Sequence, residues 1–206
     1  MANALTAEVS ATLGPTRSGA IILARHGEPA LSRKVRLTAQ EYRDFWANYE
    51  IMGLLPGQTP PASLLRFAEG CGTLVASTRL RSIESAQALC AGKAFTQEAL
   101  LVEAPLPPPD WPSWIRLSPK MWGFYARVWW WCFNHNEGQE TRVEAQARSD
   151  AAAEMLADRA ARGQDVVVLA HGFFNFMVGL SLRRRGWRLT RSEGYKYWSM
   201  RRFDRR

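Results

Sequence analysis

Val166, Val167, Val168, Leu169 and Ala170 form a run without a polar residue, bounded by Gly163-Gln164-Asp165 before it and His171-Gly172 after it. A strand with one wet face alternates polar and apolar side chains, whereas a strand that does not alternate is covered on both faces. Strands of that kind lie in parallel sheets with helices packed above and below. Ile21 to Ala24 and Thr73 to Ala76 repeat the signal more weakly, and Leu100 to Val102 reads as a third short strand. Helical stretches separate them. The expected fold class is therefore α/β, a three-layer α/β/α sandwich with a mostly parallel central sheet.

Local signals place the helices. Thr38 followed by Glu41 is a capping box, and the helix it opens presents Tyr42, Phe45, Trp46 and Tyr49 at helical spacing, read as core. Ser82 to Leu89 is helix-like. Five prolines from Pro105 to Pro112 exclude regular structure there, and Ser118-Pro119 then starts a helix. Met121, Tyr125, Val128 and Cys132 define one face of that helix, with Trp130 opposite. A further helix spans Thr141 to Ala161 and ends at Gly163, another follows Gly172 to about Arg185, and Tyr195 to Phe203 reads as a last strand. Residues 1–19 read as a loose leader. Residues 20–206 read as a single domain with a Pro/Trp-rich insertion near 104–135.

Composition narrows the class. The chain has 206 residues, 47% of them hydrophobic, enough for a sizeable core and too apolar for wholesale disorder. No apolar run approaches the roughly 20 residues of a membrane span. Met1 to Gly19 lacks the basic start and apolar centre of a secretory signal. The three cysteines form no C-x-x-C pair, so reduced thiols and a cytoplasmic location are expected. The net charge of +8 comes entirely from Arg183 to Arg206, with ten basic residues against Glu193 and Asp204. That tail reads as a solvated strand and helix end; nucleic acid is not expected as a partner, and a basic rim near a site is left open.

In open parallel sheets the carboxyl ends of the strands form the ligand crevice. Here those ends carry Arg25-His26, Arg81 one turn beyond Ser77, Glu103 and His171. Imidazole is a nucleophile when one nitrogen is unprotonated, guanidiniums bind phosphoryl oxygens bidentately, and a carboxylic acid can protonate a leaving oxygen. Backbone N–H groups at Gly172, where a helix begins, add anion donors. The set suits phosphoryl transfer without a metal or cofactor, and no H-E-x-x-H pattern occurs.

Arg25-His26-Gly27-Glu28, the stretch Ser77 to Ala86 containing Arg81, and Val168-Leu169-Ala170-His171-Gly172 together resemble the ordered motifs of the histidine phosphatase superfamily, the phosphoglycerate mutase-like family. Gly138-Gln139-Glu140 is similar to a weaker Gly-Glu element that opens a helix before the Val166 to Ala170 strand. The resemblance spans residues 20–203. It implies that His26 is the nucleophile and becomes phosphohistidine. It implies that Arg25, Arg81 and His171 hold the phosphoryl oxygens, and that Glu103 is the acid and base. Pro29 and Ser32 stand where the family often has Ser or Thr and Asn, so Ser32 is an additional candidate contact. Arg79 replaces an apolar or small residue and reads either as a further anion contact or as surface. Glu28 is the rival acid. His135 reads as a helix C-terminal cap or a surface residue. Trp111, Trp114 and Trp122 read either as pocket walls or as extra core or a subunit interface. The implied activity is a phosphatase hydrolysing a small phosphomonoester; a phosphomutase and a non-catalytic anion-binding scaffold are the alternatives, and a homodimer is left open.

Overall fold

The computed structural model of the chain describes residues 18–205. A six-stranded sheet has the order β3-β2-β4-β1-β6-β5, from β1 (Ile21–Arg25), β2 (Thr73–Ser77), β3 (Thr96–Glu98), β4 (Val166–Ala170), β5 (Trp187–Ser192) and β6 (Met200–Arg205). β3, β2, β4 and β1 run parallel, β6 is antiparallel to β1, and β5 is antiparallel to β6. The all-apolar run is the centre of the sheet. β4 pairs with β1 through Ile21↔Val166 and with β2 through Thr73↔Val166, and all five of its residues are buried.

Alternate strand residues feed two cores, as the pleat requires. Ile21, Leu23, Val75, Val166 and Val168 face α5 (Arg142–Ala160) and α6 (Gly172–Arg184), with Ala126 and Trp130 of α4 (Pro119–Phe133). Ile22, Ala24, Leu74, Ala76, Val167 and Leu169 face α2 (Ala62–Gly70) and α3 (Leu80–Cys90). A smaller aromatic core joins Tyr42 of α1 (Ala39–Ile51) to Trp122 of α4. The result is the expected α/β/α sandwich. Among the described residues, no helix is long and apolar enough to cross a membrane.

Several expectations hold at atomic detail. Thr38 and Glu41 form a reciprocal capping box, Thr141 and Glu144 form another, and Ser118 caps α4 with Pro119 in its first turn. Others need correction. The third strand is Thr96–Glu98, at the sheet edge beside β2, and Ala99–Leu101 is a 3₁₀ turn, the carbonyls of Leu100 and Val102 being taken by the Arg148 side chain. The last strand is Met200–Arg205, paired with an unanticipated Trp187–Ser192. Trp198, with φ of +61°, breaks the run that read as continuous. α2 was not anticipated. In α4 the inward stripe is Trp122, Ala126 and Trp130, whereas Met121 and Cys132 are exposed. With aromatics on every side, that helix gives no unique apolar face. Trp122 is core, Trp111 packs on it with centroids 5.5 Å apart, and Trp114 is exposed. The leader, as far as residue 17, lies outside the described residues; Gly19 is already tied down, donating to Ala160 O at 2.8 Å.

Candidate active site

His26 and His171 are the first residues past two neighbouring parallel strands, and His26 N donates to Ala170 O at 3.0 Å. Their rings stand edge to face with centroids 5.1 Å apart. Both are buried. Gly27 follows because nothing larger fits: a Cβ there would lie 2.5 Å from the Trp198 indole. The Gly27 N–H donates to Ser85 Oγ at 2.9 Å, which pins the turn to α3.

Arg81, in the first turn of α3, is wholly buried and reaches both rings. Its Nε donates to His26 Nε2 and its Nη2 to His171 Nδ1, each at 3.3 Å. A guanidinium only donates, so these contacts set both tautomers. His26 keeps its lone pair on Nε2 and donates Nδ1–H to Gly27 O at 2.6 Å. His171 carries its proton on Nε2 and donates to Ser77 Oγ at 2.8 Å. Burial, and next the Arg81 charge, hold both imidazoles well below the ordinary histidine range; Arg25 adds to this at both rings.

The remaining Arg81 donors point to the end of α1. Nη1 donates to the carbonyls of Tyr49 at 2.8 Å and Glu50 at 3.3 Å, and Nη2 to Glu50 Oε1 at 2.9 Å. The last turn of α1 has no basic residue of its own, so Arg81 serves its orphan carbonyls and its negative end. Glu50 also pairs with Arg79 at 2.7 Å, joining the two arginines. Arg25 donates to Tyr195 O at 2.7 Å and lies 4.3 Å over the Tyr197 ring. Arg33 stands 5.0 Å from the Tyr49 ring centre and 5.6 Å from that of Tyr197. Among the described residues, the buried Nε–H groups of Arg25, Arg33 and Arg79 have no hydrogen-bond partner. Leaving buried donors unmet is costly, so three of them in one cluster mark a place where an anion can be received.

Glu103 does not end a strand; it lies past the 3₁₀ turn. Arg148 of α5 fixes this segment by donating to the carbonyls of Leu100 at 2.8 Å and Val102 at 2.7 Å, while Glu140 holds Arg148 bidentately at 2.6 and 2.7 Å. Glu103 Oε1 then accepts from Phe174 N at 2.8 Å and Oε2 from Phe173 N at 3.4 Å. Its carboxylate therefore sits at the N-terminus of α6, beside His171 and Gly172. Gly172 faces Arg25, whose Cδ and Nε would lie 3.4 Å from a Cβ at that position. Glu28 and Ser32 are exposed, and Ser32 Oγ accepts from Lys34 N at 3.3 Å within its own loop. His135 follows the Asn134 cap of α4, with Nε2 3.0 Å from Pro108 O. Arg201 of the basic tail is buried, and Arg202 pairs with Asp204 at 2.9 Å. That pair is no free rim.

Arg33, Glu50, Tyr197 and Arg148 were not anticipated. Only Tyr49 and Glu50 carried a signal, as the last turn of a capped helix lacking a basic residue. The aromatics of α1 are also more than core, since Tyr49 lies 4.7 Å from the Arg81 guanidinium.

A measurable consequence follows from the two neutral imidazoles. Unfolded histidines take up protons below about pH 6.5, whereas these two resist protonation in the native state. Their contribution to stability is complete above that pH and is lost as the pH falls, by about 2–3 kcal/mol for the pair at pH 5.5. Urea unfolding of wild type against a His26→Gln, His171→Gln protein is expected to show this excess acid sensitivity in the wild type alone. Parallel pH profiles would contradict it.

No protein-family model matches the chain, and no curated protein sequence matches it. Solved structures share its fold. A phosphoglycerate mutase from Bacillus anthracis aligns over 91% of this chain and 88% of its own, with TM-score 0.58 and 18% identity. A mycobacterial glucosyl-3-phosphoglycerate phosphatase aligns over 82% and 81%, with TM-score 0.52 and 22% identity. A phosphoserine phosphatase from Entamoeba histolytica, in complex with phosphoserine, aligns over 81% and 80%, with TM-score 0.51 and 13% identity. The chain has the fold of the phosphoglycerate mutase-like histidine phosphatases.

Proposed function

We propose that the chain is a phosphatase that hydrolyses a small phosphomonoester through a phosphohistidine on His26, in a reduced cytoplasmic setting. One observation carries the reading: an unprotonated His26 Nε2 lies within a guanidinium cluster in which the buried Nε–H groups of Arg25 and Arg79 are unmet. His26 Nε2 attacks phosphorus, and the bond to the ester oxygen breaks as Glu103 delivers a proton to it. Glu103 then takes a proton from water, whose oxygen attacks the phosphohistidine. The P–N bond breaks, inorganic phosphate leaves, and Nε2 regains its lone pair. Arg25, Arg81 and His171 stabilise the transferring group throughout, with Arg79 as a further donor. The phosphatases among its structural relatives are compatible with this chemistry.

The test is phosphate release by the purified protein from a panel of aryl and alkyl phosphates in EDTA. Steady release is expected. An isomerised phosphoester without free phosphate would indicate a mutase, and no turnover of any ester would indicate an anion-binding scaffold; either result overturns the reading.

A further inference from the structure

We propose that the cavity leading away from the phosphoryl cluster selects a leaving group with a flat, apolar body and a second negative charge. The inference rests on the phosphatase reading and extends it to substrate class. The cavity has a volume of about 490 Å3, within the range of small-molecule sites and larger than a phosphoryl group alone requires. It is lined at one end by Arg25, Glu103 and Gly172, three of the groups assigned to the phosphoryl centre, and so adjoins that centre on the side of the proposed proton donor.

Its walls come from three helices. Tyr42 and Trp46 of α1 lie on one side, and Phe173 and Phe176, in the first turns of α6, on the other. Phe173 and Phe176 are stacked with an interplanar angle of 22°, which presents flat apolar surface rather than a ragged one. α4 supplies Lys120, Gly123 and Arg127, three and four residues apart and so on one helical face. Gly123 provides room. A Cβ there would stand 3.1 Å from Arg127 Nη1 and 3.4 Å from the Tyr42 hydroxyl, within the same space.

The charge on this lining is unbalanced. Arg25, Arg33, Lys120 and Arg127 face a single carboxylate, Glu103, whose oxygens already accept from α6. If Arg25 serves the phosphoryl group, three cations remain. Among the described residues, none of the three forms an ion pair. Arg127 is held over the Phe173 ring at 5.5 Å by donating Nη1 to the Gly123 carbonyl, and the Arg33 Nε–H is one of the unmet donors. A guanidinium lying on an aromatic ring keeps its edge free for a carboxylate or phosphate. A neutral leaving group would leave this charge uncompensated. A purely polar one would not use the four aromatic rings.

Two readouts separate the inference from the reaction on which it rests. Non-hydrolysable benzylphosphonate, its 4-carboxy derivative and its 4-aminomethyl derivative are titrated against the full chain by calorimetry. The carboxy compound is expected to bind at least tenfold tighter than the parent and the cationic compound more weakly. Arg127→Met and Arg33→Met should each shrink the carboxy preference several-fold, and the double variant should abolish it. Equal affinities within twofold, or a preference that survives in the double variant, would overturn the inference. Phosphate release from the corresponding phenyl phosphates is followed in parallel. Release without a charge preference sinks the inference and leaves the phosphatase reading standing; a binding preference without release does the reverse.

Discussion

The His26→Ala protein is expected to form no phosphoenzyme and to lose at least about 10⁴ in turnover. His171 Nε2 donates to Ser77 Oγ, and its Nδ1, like Nε2 of His26, accepts from Arg81, so the label decides between the two rings. His135 lies against Pro108, beyond the cluster. In the wild type, brief reaction with a labelled aryl phosphate and an acid-free quench should trap an acid-labile, alkali-stable label. That label should be absent from His26→Ala and present in His135→Ala. The neutral Nε2 also sets the pH behaviour. Because burial and Arg81 keep His26 unprotonated below the ordinary histidine range, label should still form below pH 6.5. Label on another residue of the His26→Ala protein would remove His26 from the nucleophile's role.

Much of this centre was legible in the sequence because its parts are set by backbone rules. A five-residue apolar strand has to be central and parallel, and the residue after such a strand has to lie at the crevice; this alone brings His26 beside His171. Arg81 was legible for a related reason, since a residue in the first turn of the helix after β2 lies over the same edge.

What was not legible depends on long-range side-chain pairing. Glu50 matters only because α1 ends where Arg81 needs an acceptor, and neither residue marks the other in the sequence. Glu103 was placed at the crevice for an incorrect structural reason. Leu100 to Val102 is apolar and short, as an edge strand would be, but Arg148 takes the carbonyls of Leu100 and Val102 that such a strand would need for its ladder. Trp198 could not be foreseen either. Its left-handed backbone is stabilised by contacts made far away in sequence, with Gly27 and with Gln58, to which its indole N–H donates at 3.0 Å.

That anchoring of Glu103 makes the acid role testable. The carboxylate is held by two N–H donors of α6 and by a segment strapped to Arg148, so Glu103→Gln retains shape and one acceptor while losing the transferable proton. An alkyl phosphate expels a strongly basic alkoxide and depends on that proton. A nitrophenyl phosphate expels a stabilised anion and hardly needs it. General acid catalysis contributes about 10²–10⁴ in rate, so Glu103→Gln should lose roughly that factor on alkyl esters. The loss on the nitrophenyl ester should be far smaller in the phosphorylation step, read as the pre-steady-state burst. The steady state should slow for both substrates, because in the proposed mechanism the same residue activates the water that clears the phosphohistidine. Glu28 is exposed and its backbone is tied to Gln58, so Glu28→Gln should show no dependence on the leaving group. Equal burst losses on both esters in Glu103→Gln, or a leaving-group-dependent loss in Glu28→Gln, would move the proton donor away from Glu103.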